Sequence, residues 1–223
     1  MFGNKKFSPE VISEHNLREK AVIKFLTDTT GELTAGFRTF ENGSYILPER
    51  ANFILCFSLV DVMRKYWEIY NDCPSNETHQ KPSFIKWSDD FCFTEENGTF
   101  KKNKMLKRLN SNSLYNLRCS LVHFYGLSPH AEGISFSIAP NEASDEWILN
   151  TSKKLSKEHK IYIILRSSDI HNLVYDGADV MLERMQKNIE FKPKFHMEAI
   201  ERIYEKFRSE GVVGIDLKLE DIK

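Results

Sequence analysis

The segment Leu114-Tyr115-Asn116-Leu117-Arg118-Cys119-Ser120-Leu121-Val122-His123 sets a guanidinium in the middle of an apolar helical face. At about 100° per residue, Leu114, Leu117, Leu121 and Val122 all fall within roughly 100° of Arg118, so the stripe that packs inward carries a fixed positive charge at its centre. A cation in that place needs a carboxylate from a facing element, because a buried charge without a partner is costly. Ala51 to Met63 is an apolar helical stretch with one acidic residue, in Leu59-Val60-Asp61-Val62-Met63. Asp61 is therefore the expected counter-charge, and the two helices are expected to pack face to face.

Further helices follow from caps and apolar periodicity. Ser8 is an N-cap with Pro9 at the first helical position, and Val11, Leu17, Ala21, Val22, Phe25 and Leu26 form a stripe ending near Asp28. Thr34 to Leu47 carries an Asn42-Gly43 turn signal, read as a short hairpin or a bare loop. Pro48 opens the second helix, expected to reach Tyr70, and Asp72 to Gln80 is a polar loop. Phe84, Trp87, Phe91 and Phe93 suggest a short helix before the Arg118 helix, which is placed at Ser111 to Phe124.

After residue 130 the period changes. Gly133 to Ala139 alternates apolar and polar residues, and Lys160 to Leu165 is β-branched and aromatic, so both read as strands. They are expected to pair as an antiparallel hairpin, with Trp147-Ile148-Leu149 as a third strand. Ser168 or Asp169 caps a helix running to Ile189. Met197, Ile200, Ile203, Tyr204 and Phe207 define one more, with Gly211 at its C-terminal cap. The expected fold is mainly α: one domain over 1–223, with a helical core at 8–130 and a β-hairpin plus C-terminal helices at 131–223.

Composition narrows function by exclusion. A net charge of -1 provides no global field toward nucleic acid or an anionic membrane, so any RNA contact must come from a local basic patch. Lys101, Lys102, Lys104, Lys107 and Arg108 form such a patch, or else a solvated loop. The four cysteines show no Cys-x-x-Cys pairing and suit a reducing cytoplasm. The N-terminus has no apolar signal core, and no apolar run reaches the length of a membrane span.

His123 lies about 140° round the helix from Arg118 and about 7.5 Å further along it. Arginine grips phosphate oxygens bidentately and histidine moves protons near neutrality, so the pair suits phosphate chemistry without a metal or cofactor. Each residue also has a structural reading: Arg118 as half of a buried ion pair with Asp61, His123 as a core histidine. Asn116 and Ser120 lie on the arc of His123 and could orient an imidazole or a phosphate. Tyr115 is a packing aromatic or a surface for stacking a base. A zinc site on Cys119, His123 and His130 is the chemically distinct rival, without an evident fourth ligand.

The spacing of Arg118 and His123 within Leu-Tyr-x-Leu-Arg-Cys-x-Leu-Val-His resembles the active-site motif of the HEPN superfamily of helical domains. The apolar helix carrying Asp61 and the segment Pro82-Ser83-Phe84-Ile85-Lys86-Trp87 extend the resemblance to about residues 9–130. It implies a four-helix core and a metal-independent endoribonuclease with Arg118 and His123 as catalytic residues. It further implies a homodimer through the Arg118 helix and a toxin–antitoxin or phage-defence setting, in which an antitoxin would be a partner. Cys119 departs from the family pattern, in which a polar Asn, Asp or His follows the arginine in many active members. A non-catalytic module that dimerises, or that binds RNA or protein, is the alternative the resemblance leaves open.

Overall fold

The computed structural model describes residues 9–34, 49–73, 80–124, 134–156 and 161–211, and side chains within them except at 9–13, 34, 49, 50 and 122–124. The second helix, α2 (Glu49–Tyr70), is the axis of the molecule. Phe53, Cys56, Phe57, Leu59, Val60, Met63 and Tyr70 are fully buried on it. Apolar residues on nearly every side require neighbours on every side. These are α1 (Pro9–Thr34), α3 (Gln80–Trp87), α5 (Ser111–Phe124), α7 (Ser167–Phe191) and α8 (Pro193–Glu210). Between α3 and α5 come a π-helical turn at Ser88–Cys92, the short α4 (Gly98–Lys102) and a 3-10 turn at Leu106–Arg108. The Arg118 helix has the limits expected of it, while α1 continues beyond Asp28 to Thr34. Pro48 and the 35–47 hairpin-or-loop lie outside the described residues.

The expected β-hairpin is not formed. Strands β1 (Ile134–Ala139) and β2 (Ile161–Arg166) pair in parallel, with Ile134 opposite Ile161 and Ala139 opposite Arg166. Parallel neighbours need a crossover of about a dozen residues, usually a helix. That crossover holds α6 (Asp145–Leu155), so Trp147-Ile148-Leu149 is helical rather than a third strand. Ser144 caps α6 by accepting from the Trp147 amide at 3.2 Å. The two-residue period sends Phe136, Ile163 and Leu165 into the main core, while Ala139 and Ile164 meet Ile148 of α6 in a smaller cluster with Met105.

β2 runs directly into α7. The N-cap position is Arg166, not Ser168 or Asp169, and the amide of Ser168 donates to Oδ1 of Asn141, which reaches in from the end of β1. Asp169 instead receives Arg166 and Asn103. On α7, Ile170, Leu173, Val174, Ala178, Met181 and Met185 repeat at helical spacing and fill the core against α2. Pro193 starts α8, and Gly211 ends it with φ 67°, a left-handed cap that suits glycine. The C-terminal helices thus share one apolar cluster with the N-terminal ones, from Val22 to Phe207.

Candidate functional site

α5 packs against both α2 and α3 through Leu114, Leu117 and Leu121, and this fixes where Arg118 points. Its Nη2 donates to Asp61 Oδ2 at 2.7 Å and its Nε to the same oxygen at 3.3 Å. The expected pairing of Asp61 with Arg118 is therefore present. Burial by itself pulls the arginine pKa down, but the hydrogen bonds and charge of Asp61, aided by Cys119, more than offset it, and the net direction is upward. Arg118 is locked in its charged form.

Asp61 has a second cation. Arg64, three residues on along α2, donates from Nε to Asp61 Oδ1 at 3.1 Å and from Nη1 to the Ser83 hydroxyl of α3 at 3.2 Å. One carboxylate thus bridges two guanidinium groups, and these three side chains together carry one positive charge. Arg64 and Ser83 were not singled out from the sequence. The signal for Arg64 was its spacing, because three residues from Asp61 puts it on the same face of α2.

Tyr115 and Cys119 belong to the same group. The Arg118 guanidinium lies 6.0 Å from the centre of the Tyr115 ring, and Lys81 approaches that ring at 5.7 Å. The Tyr115 hydroxyl pKa is raised, first by burial and then by a hydrogen bond with the Cys119 thiol, which also contacts Arg118. Cys119 follows Arg118 on α5 and is half-buried. Asn116 is half-buried and Ser120 buried on α5. His123 is within α5, and its side chain lies outside the described residues, as does His130. Among the described residues no group of three or more His, Cys, Asp or Glu is placed to hold a metal ion.

The basic cluster divides. Arg108 is half-buried and donates to the Ser152 hydroxyl and to the Tyr162 carbonyl, so it ties the 3-10 turn to α6 and β2 rather than facing solvent. Lys107 sits 3.8 Å from the centre of the Phe100 ring and 3.6 Å from Glu95. Lys101, Lys102 and Lys104 are exposed. α4 packs on α7, whereas Arg118 and Asp61 belong to the α2–α3–α5 junction.

A second polar cluster, also not singled out from the sequence, joins α1, α2, α7 and α8. His196 is buried, and its Nδ1 shares a 2.8 Å hydrogen bond with the Tyr70 hydroxyl, to which Asn188 also donates. Its Nε2 stands 3.6 Å from Glu19, and buried His15 stands 4.0 Å from Glu19 and 3.5 Å from Glu201. Burial lowers the His196 pKa; Glu19 opposes that effect and His15 adds to it. His15 and Glu19 are four apart on one helix, a visible signal, but their partners come from nearly two hundred residues away.

The buried thiols Cys56 and Cys92 have pKa values pushed far up by desolvation and are poor nucleophiles. Among the described residues, no helix is long and apolar enough to cross a membrane. No protein-family model, curated protein or solved structure matches the chain.

Proposed function

We propose that this chain is a metal-independent endoribonuclease of HEPN type. The observation that carries the reading is the Asp61 bridge between Arg118 and Arg64, which fixes a guanidinium and leaves excess positive charge where a phosphate can bind. Arg118 would hold the scissile phosphate and stabilise the charge that builds on it in the transition state. His123 would take the proton from the ribose 2′-hydroxyl. The 2′-oxygen then bonds to phosphorus, the bond to the 5′-oxygen breaks, and that oxygen leaves with a proton. The products are a 2′,3′-cyclic phosphate and a 5′-hydroxyl, and DNA is inert.

Because Arg118 and His123 diverge around α5, a homodimer through that helix would bring one chain's arginine beside the other's histidine. Lys101, Lys102 and Lys104 would contact the RNA backbone. A cytoplasmic toxin or phage-defence effector, with an antitoxin as a further partner, is the setting this activity suits. The second reading, a non-catalytic module that dimerises or binds RNA or protein, is favoured by the low exposure of the Arg118 side chain, 12%.

The test is cleavage of labelled single-stranded RNA in EDTA with analysis of the product ends. Wild type should leave cyclic phosphate ends. His123→Ala should cut roughly 100-fold more slowly or worse while still binding RNA. Intact RNA with wild type, or equal cutting by the variant, leaves the binding module as the reading. Inhibition by EDTA would turn attention to Cys119, His123 and His130 as zinc ligands.

A further inference from the structure

The face of α2 that carries Asp61 and Arg64 reaches Glu68 one turn later, since residues three and four apart stack on a helix. Between this face, α3 and the π-helical turn lies a cavity of about 430 Å³, within the range of small-molecule sites. Arg64 and Ser83 both line it, and Arg64 also holds Asp61, so the cavity adjoins the Arg118 site. Its aromatic wall is Trp67 and Trp87. Trp87 is 1% exposed, and its indole N–H donates to Met181 Sδ at 3.3 Å, so the indole face open to the cavity is that of half-buried Trp67. Lys86, exposed, and Asp90, half-buried, stand among the lining residues.

Glu68 also lines the cavity, and its Oε2 is buried with no hydrogen-bond donor. Such an oxygen is expensive to leave unmatched, and a ligand that brings its own donors relieves it. The lining therefore asks for a flat ring to lie along indole, an edge of adjacent N–H donors for a carboxylate, and a negative group for Arg64 and Lys86. Guanine satisfies all three in a nucleotide. Its N1–H and exocyclic amino group are neighbouring donors on one edge. Adenine and cytosine each set an acceptor beside the amino group, and uracil has one N–H between two carbonyls.

We infer that this cavity is a guanine-selective nucleobase pocket in which Glu68 reads the base and Arg64 and Lys86 hold its phosphate. Its use in choosing the nucleotide beside the scissile phosphate rests on the ribonuclease reading; the pocket itself does not. The two are separable by measuring mononucleotide binding and RNA cleavage on the same full-length protein.

Calorimetric titration with guanosine, adenosine, cytidine and uridine 5′-monophosphates should show guanosine monophosphate bound at least about tenfold more tightly than the others. Glu68→Gln, which keeps the side chain's size, should erase that preference. Lys86→Ala, at an exposed position, should weaken guanosine monophosphate but not guanosine. Equal binding of all four nucleotides, no binding at millimolar concentration, or full guanine selectivity in Glu68→Gln overturns the pocket. Selective binding without any RNA cleavage upholds the pocket and removes the nuclease. Cleavage with no guanosine preference at the cut, and no mononucleotide bound, does the reverse.

Discussion

Replacing Asp61 with Asn keeps the shape of the side chain and removes the charge shared by Arg118 and Arg64. Three donor contacts, at 2.7, 3.3 and 3.1 Å, lose their anionic acceptor. Breaking a fully buried pair costs about 3–5 kcal/mol. Here the Asp61 side chain is 28% exposed and that of Arg118 12%, so water recovers part of the loss. About 2–3 kcal/mol remains after that discount. For a chain of this length each kcal/mol moves the melting midpoint by roughly 2–4 °C, so Asp61→Asn should melt roughly 5–10 °C lower. Thermal unfolding followed by circular dichroism measures this, and a cycle with Arg118→Gln isolates the pair from other effects of each substitution. RNA affinity should move the other way, because two guanidinium groups then face the phosphate with no carboxylate between them, and a steeper salt dependence should accompany it. An unchanged midpoint, or independent costs for the two substitutions, refutes the buried-pair argument. Weaker RNA binding by Asp61→Asn refutes the phosphate assignment.

Two other expectations concern stability. Burial holds the folded-state pKa of His196 and of His171 below the ordinary histidine value, so both favour the neutral ring in the native state. Their contribution is complete above pH of about 6.5 and is lost as pH falls through and below it. The urea midpoint should drop between neutral pH and pH of about 5, and His196→Gln should flatten that drop. A midpoint that rises on acidification contradicts the sign. At Gly177 in α7, an added Cβ would stand 3.0 Å from the Cys92 sulfur and 3.4 Å from both the Phe91 carbonyl and Trp87, all in the packed core. Alanine gains up to about 1 kcal/mol of helix propensity, while overpacking costs about 1–3 kcal/mol. Gly177→Ala should therefore be destabilising by chemical denaturation, and a stabilised variant would mean that this packing yields easily.

The Arg118–Asp61 pair was legible because helical arithmetic puts a charge in an apolar stripe and asks for a partner. The limits of α2 and α5 and the Gly211 cap were legible for similar local reasons. Strand direction was not, since a period of two is the same in parallel and antiparallel ladders. The helical start at Ser144-Asp145-Glu146 did carry a capping signal, but the short apolar run Trp147-Ile148-Leu149 fits strand and helix alike. Arg108 reads as one of five clustered cations, and only the fold reveals that the Tyr162 carbonyl receives it. Arg64 and Glu68 were hidden differently. They share a helix with Asp61, but what each meets depends on α3 packing against that face of α2.

β2 passes into α7 with no residue between the strand and the helix. At that junction Arg166 grips Asp145, Asp169 and the Ala143 carbonyl together. A displacement of the strand pair therefore pulls on the longest apolar contact of α2. A fragment ending near residue 130 would leave Leu173, Val174 and Met181 absent and their counterparts on α2 open to water. The natural expectation is one unfolding transition for the whole chain, with the Arg118 site and the C-terminal helices lost together.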